Sequence, residues 1–198
     1  MKDLRVLKWL GMICLLAGIA RIGMTPTAIV WGTDSVPELS FGYAACILMA
    51  IGSIAGFLAQ SKETGLLGFI SVLGMSVGNI LTSALLFTLF ILEPSAPRPE
   101  GAMVAIAQMG GMIGTTLCTL LFAILTFRAK VFPRWVAVLF VLNLVSMFLP
   151  VEDNVYFALF WGLAYAGLGF CIWTGRMTPR SQQAQHADNS PRSAGLTK

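Results

Sequence analysis

The stretch GLLGFISVLGMSVGNILTSALLFTLFIL, residues 65–92, decides how this chain folds. It holds 28 residues and not one charged side chain. As a helix it would measure about 42 Å at 1.5 Å per residue. That exceeds the roughly 30 Å of hydrocarbon in a bilayer. Both parities of the run are apolar, so it does not have the strict alternation of a membrane β-barrel strand, which is also much shorter. In hydrocarbon a backbone must satisfy its own hydrogen bonds, and a helix does this within one segment. The stretch therefore predicts a transmembrane helix, with a length that favours tilting or protruding ends.

Working outward, comparable apolar runs occupy about 6–24, 41–60, 102–127, 134–150 and 155–174. With 65–92 they predict an all-α polytopic bundle of about six spans over residues 1–174. The breaks between them are chemically coherent. Thr25-Pro26 and the segment Gly32 to Ser40 end the first run. Ser61-Lys62-Glu63-Thr64 is a tight polar turn, with Thr64 placed to cap the next helix. Glu93 to Glu100 holds three prolines, which lack donors and favour extended backbone. Arg128-Ala129-Lys130 closes the fourth run, and Pro133 suits the first turn of the fifth. Pro150 to Asn154 separates the fifth from the sixth, with Asp153 or Asn154 available as a cap. Residues 175–198 are rich in Ser, Gln, Pro and charge, and predict a disordered cytoplasmic tail.

Composition agrees with lipid as the solvent. The chain is 57% hydrophobic and 11% charged, with a mean hydropathy of +0.80. Soluble domains carry about 25% charged residues, so these few charges could not cover a water-exposed surface. The net charge of +4 is explained by where the cations lie. Lys and Arg favour cytoplasmic loops. With the N-terminus inside, inner segments hold Lys2, Arg5, Lys8, Lys62, Arg128, Lys130, Arg134, Arg176, Arg180, Arg192 and Lys198. Outer segments hold only Arg98, plus Arg21 near the outer end of the first helix. The acids Asp34, Glu38, Glu93, Glu100, Glu152 and Asp153 all fall outside. This predicts a multi-pass protein of the cell (inner) membrane with both termini cytoplasmic. Gly18-Ile19-Ala20 resembles a signal-peptidase site behind a basic start. Retention is expected, because an even number of spans keeps both basic ends on one side.

Helices associate in lipid through close approach at small residues. Gly52 and Gly56, Gly74 and Gly78, and Gly110 and Gly114 form three Gly-x-x-x-Gly faces, which serve either the bundle or a homo-oligomer. Ala158, Gly162 and Ala166 extend the theme. Trp9, Trp135 and Trp173 mark one interface belt, and Trp31 and Tyr156 the other.

Polar groups inside spans are the default functional candidates. Arg21, Asn79, Gln108 and Asn143 are candidates for a polar path or for interhelical contacts. Arg21 is expected to reach outward and pair with Asp34 or Glu38. The four cysteines, Cys14, Cys46, Cys118 and Cys171, lie in apolar runs without a Cys-x-x-Cys pair. The one histidine, His186, is in the tail. No catalytic residue, metal site, cofactor or nucleic-acid partner is indicated. The expected partners are the bilayer and either a second copy or another membrane protein.

Four stretches carry a family resemblance: Gly11 to Pro26, Gly65-Leu66-Leu67-Gly68-Phe69, Glu93-Pro94, and Val131-Phe132-Pro133-Arg134-Trp135. They resemble a broad family of small bacterial six-helix multi-pass membrane proteins. The resemblance covers most of the membrane part but not the tail. It implies six spans and brings no established activity, so no catalytic residue is carried over. The leading expectation is a non-enzymatic membrane component: a scaffold, assembly partner or sensor-like module. A small transporter or channel near Asn79, Gln108 and Asn143 is the first alternative. An enzyme acting on a lipid or isoprenoid through outer acids such as Glu93 or Asp153 is the second.

Overall fold

The computed structural model describes residues 2–92, 97, 99–148 and 156–178, with side chains from residue 5 onward, and every regular element among them is helical. Helix α1, Lys2–Trp31, continues through Pro26, where the sequence suggested a stop. Proline leaves a carbonyl one turn back without its donor. Pro26 is on the exposed side, and the adjacent Thr27 hydroxyl donates to the carbonyls of Gly23 and Met24 at 2.8 and 2.9 Å. The carbonyl that Pro26 leaves without its N–H is that of Ile22, so these hydroxyl bonds brace the adjoining turn rather than replace the lost bond.

Helix α2, Val36–Ile91, has 56 residues and leaves helical geometry at Gln60 and Gly65. Gly65 has φ +54° and ψ −142°, a backbone state that a side chain would disfavour. The two arms fold back on each other there. Phe57 and Phe69 meet with ring centroids 5.8 Å apart, and Tyr43 and Phe87 at 5.7 Å. Between them the Ser76 hydroxyl donates to the Ala50 carbonyl at 3.0 Å. These pairs fix an antiparallel register about the turn 61–64. Thr64 does not cap a new helix: its hydroxyl donates to the Gln60 carbonyl within the turn.

Helix α3, Ala102–Ile113, passes through a π-helical turn, Gly114–Cys118, into α4, Thr119–Ala129. Helices α5, Arg134–Ser146, and α6, Tyr156–Thr174, complete the bundle. Four helical stretches are long and apolar enough to cross a membrane: Arg5–Trp31, Val36–Ile91, Ala102–Ala129 and Tyr156–Thr174; Arg134–Ser146 is shorter. Residues 149–155 lie outside the described residues, and so do Glu93, Arg98 and the tail from residue 179, along with the readings made of them.

With α3, the π turn and α4 taken as one rod, each helix or arm runs antiparallel to the next, and α6 returns against α1. The α1–α6 contact is made by glycine. A methyl group added at Gly18 would lie 2.5 Å from the Gly162 carbonyl oxygen, and one added at Gly162 would lie 2.6 Å from the Gly18 carbonyl oxygen. On the far side, a methyl at Gly78 would lie 2.9 Å from the Gly114 Cα. That approach is at the start of the π turn. Gly52 packs on Cys14, Gly56 on Phe122 and Leu168, Gly74 on Cys118, and Gly110 on Leu81. All three Gly-x-x-x-Gly pairs therefore lie in contacts within this chain.

Small residues, polar residues and a few large ones such as Phe122, Phe140 and Leu168 occupy the interior, while many large aliphatic residues face out. Ala17, Ala45, Ala55, Ala164, Cys14 and Cys46 are fully buried. Leu66, Met103, Ile106 and Leu117 are each more than half exposed. A water-soluble helix would place polar residues on that outer face. The alternating path also sorts charge. Arg5, Lys8, Lys62, Arg128, Lys130, Arg134 and Arg176 share one end of the bundle, and Asp34, Glu38 and Glu100 share the other. The linker after α4 crosses the basic end: Lys130 turns through φ +55°, Val131 and Phe132 are buried, and the Thr178 N–H donates to the Val131 carbonyl at 2.9 Å.

These contacts predict unequal costs for two glycine substitutions. Gly18→Ala meets the α6 backbone, which cannot step aside, and should cost about 1–3 kcal/mol. Gly110→Ala meets only the movable end of Leu81 and gains helix propensity, so it should be neutral or slightly stabilising. Thermal unfolding of both variants in detergent checks this. Equal melting temperatures would mean that α1 and α6 are not packed this closely.

Candidate functional site

The inner face of α1 repeats at helical spacing through Gly11, Cys14, Gly18, Arg21, Thr25 and Ala28, all buried. Arg21 is the one charged residue in that stripe, and it is only 5% exposed. Because α1 runs ten residues past it, Arg21 does not reach outward as the sequence suggested. Its guanidinium lies over the Trp161 ring of α6, 4.0 Å from the centroid, and Nη1 donates to the Cys46 sulfur of α2 at 3.7 Å. Glu38, two turns before Cys46 on the same arm, is near enough for its charge to act on the guanidinium. Glu38 itself accepts the Asp34 N–H at 2.7 Å. The Arg21 Nε and the Trp161 Nε1 are both buried with no hydrogen-bond partner among the described residues.

One turn along α6 from Trp161 is Tyr165, which ties three segments together. Its hydroxyl is 2.9 Å from the Ser53 hydroxyl and 3.3 Å from the Asn79 side-chain nitrogen. Ser53 donates to the Met49 carbonyl at 2.8 Å, which uses its only proton. The Tyr165 O–H therefore donates to Ser53, and its oxygen accepts from Asn79. Asn79 also donates to the Met75 carbonyl at 2.8 Å, while its Oδ1 has no partner among the described residues. The Cys14 thiol donates to the Tyr165 carbonyl at 3.4 Å. Nearer the basic end, the Gln60 amide donates to the Thr126 hydroxyl at 3.0 Å and joins the hairpin turn to α4.

The four polar candidates read from sequence separate. Arg21 and Asn79 lie in one polar layer, linked through Trp161 and Tyr165 of α6. Asn143 is buried on α5, one turn past Phe140, whose ring centroid is 5.8 Å from that of Tyr165. The Ser146 hydroxyl donates to the Asn143 carbonyl at 2.6 Å, and Asn143 Oδ1 has no partner among the described residues. Gln108 stands apart: it is exposed and lines an outer groove with Leu85, Thr88 and Val104. Sequence reasoning did not single out Tyr165, Ser53 or Trp161, and placed Cys46 only as a cysteine in an apolar run. The available signal was two amphipathic aromatics, Trp161 and Tyr165, in the middle of a span rather than at its ends. The outer acids Glu93 and Asp153 lie outside the described residues. Among the described residues no group of three His, Cys, Asp or Glu is arranged to hold a metal.

Chemically this layer is a set of interhelical fastenings around one buried cation. Tyr165→Phe should cost about 1 kcal/mol, within the range of such bonds in membrane proteins. A double-mutant cycle of Tyr165→Phe with Asn79→Ala, followed by unfolding in detergent, should show coupling of at least about 0.5 kcal/mol. Strict additivity would contradict the shared hydroxyl. Comparison with protein-family models, with curated proteins and with solved structures gives no match.

Proposed function

We propose that the chain is a six-span, non-enzymatic component of the cell membrane, with both termini cytoplasmic, serving as a scaffold, assembly partner or sensor-like module. The observation that carries this reading is the Tyr165 junction. The central polar groups are engaged in holding helices to one another, and they leave the interior a structural unit rather than an open passage. Support for six spans comes from the back-folded α2. Its 56 residues would measure about 84 Å unbroken, nearly three times the bilayer hydrocarbon. Its two arms count separately, and short α5 adds one more. Support for the orientation comes from the basic end, which carries Lys62, Arg128, Lys130 and Arg134. Trp9, Trp135 and Trp173 are exposed near that end, and Trp31 and Tyr156 near the other, as interface belts would require.

A second reading, a small transporter or channel, draws on a specific observation. Arg21 Nε, Trp161 Nε1 and Asn79 Oδ1 are buried without partners among the described residues, and unpaired polar atoms inside a membrane protein are costly. If water fills that layer, the three atoms mark a polar path.

Two labelling experiments decide between these statements. Asp34→Cys should react with a membrane-impermeant thiol reagent in intact cells, while Lys62→Cys and Lys130→Cys should react only after permeabilisation. Residues 62 and 130 on opposite faces would overturn the six-span arrangement. Ser53→Cys, read by residue-resolved mass spectrometry against a small water-soluble thiol reagent, should stay unmodified in native membranes. Rapid modification there would favour the polar path.

A further inference from the structure

A groove of about 320 Å³ runs between α4 and α5 on the outside of the bundle. Its floor is made by Ala123 and Ala137, which are buried and too small to fill the space between the helices. Its walls are Ile124, Phe127, Val138 and Val141, all about half exposed. Every lining side chain is apolar except one. Arg128 closes the groove at the basic end of the bundle and is exposed. Arg134, also exposed, is at the same mouth, with its guanidinium carbon 5.8 Å from the centroid of the Phe127 ring that forms the wall. An apolar trough with two cations at one end matches a molecule with a long hydrocarbon tail and an anionic head.

We propose that this groove binds an anionic phospholipid, with an acyl chain along Ala123 and Ala137 and the phosphate held by Arg128 and Arg134. This rests on the membrane reading above, under which the mouth faces the cytoplasmic leaflet. The arginines are free for the task, since neither forms an ion pair with a described residue. Glu63 is the described acidic side chain at this end, and it sits on the hairpin turn. That turn packs on the Thr126 face of α4. Arg128 is two residues further on, which in a helix is about 200° around. Glu63 is thus held away from the mouth. Guanidinium groups suit phosphate because their donors match its oxygens in pairs, and basic sites between membrane helices on the cytoplasmic side recognise lipid headgroups in this way.

The test uses the full chain purified in a neutral detergent, with lipid adducts counted by native mass spectrometry. Dioleoyl phosphatidylglycerol should be retained over dioleoyl phosphatidylcholine. Arg128→Gln with Arg134→Gln should weaken phosphatidylglycerol binding roughly 30-fold, from about fivefold per cation near the surface. Val138→Trp fills the trough from its exposed wall and should also reduce retention, without changing charge. Lys62→Gln, at the same end but off the groove, should leave retention unchanged. Inorganic phosphate should not compete, since it lacks the tail. Equal retention of the two lipids overturns the proposal, as does an equal loss from Lys62→Gln or full competition by phosphate. The readout does not depend on sidedness, so its failure is distinguishable from a failure of the cysteine labelling.

Discussion

Close backbone contact between glycines is the constraint on which the bundle depends. In water, burying aliphatic side chains would drive these helices together. In lipid the surroundings are as apolar as the core, so that force is absent. What remains is dispersion, and it grows steeply as surfaces approach. Gly18 against Gly162, and Gly78 against Gly114, bring main chains near enough for it to count. Large residues cannot serve at such contacts, so they are displaced outward. Most leucines and isoleucines lie on the exterior, glycine, alanine and cysteine line the close contacts, and a few large side chains such as Phe122, Phe140 and Tyr165 fill the space left between helices.

The same closeness makes the polar interior workable. A lone hydroxyl or amide in hydrocarbon is costly, but thin helix interfaces let one group serve several segments. Tyr165 reaches both arms of α2, through Ser53 on one and Asn79 on the other. Arg21 is the harder case. A charged residue at mid-membrane costs roughly 2.5–3.5 kcal/mol on insertion scales. The Trp161 face offsets part of this, since a desolvated cation–π contact contributes about 2 kcal/mol. The partial charge on the Cys46 sulfur adds a little more.

Much of the architecture was legible. The runs at 41–60 and 65–92 were separable because Ser61-Lys62-Glu63-Thr64 interrupts them, and the back-folding of α2 occurs there. The end of α1 was not, because Thr25-Pro26 looks like a stop. A proline costs a helix one backbone bond, and α1 continues past Pro26 because the residues beyond it, Thr27 and Ala28, are packed inside the bundle. That error displaced Arg21 toward the surface. Gln108 shows another limit. It lies seven residues from buried Thr115, which by spacing implies a shared inner face. Yet Gly111 is the sole buried residue of α3, so packing ceases before Gln108 is reached. Periodicity identifies a face but does not say how far along the helix a partner follows it. Nor does Gly-x-x-x-Gly spacing name its partner: Gly18, Gly162 and Gly169 belong to no such pair and still make the tightest contact.

The α1–α6 contact has a consequence for biogenesis. Helix α1 is matched to α6, and its glycine stripe pairs with residues about 150 positions later. While the ribosome is still producing the intervening segments, α1 waits in the bilayer with that stripe uncovered. Arg21 then has the Cys46 sulfur as a partner but lacks the indole that later shields it. Closure of the ring therefore waits until α6 has been made. A chain cut short before residue 161 would leave Arg21 without its indole cover and the glycine face of α1 unpacked.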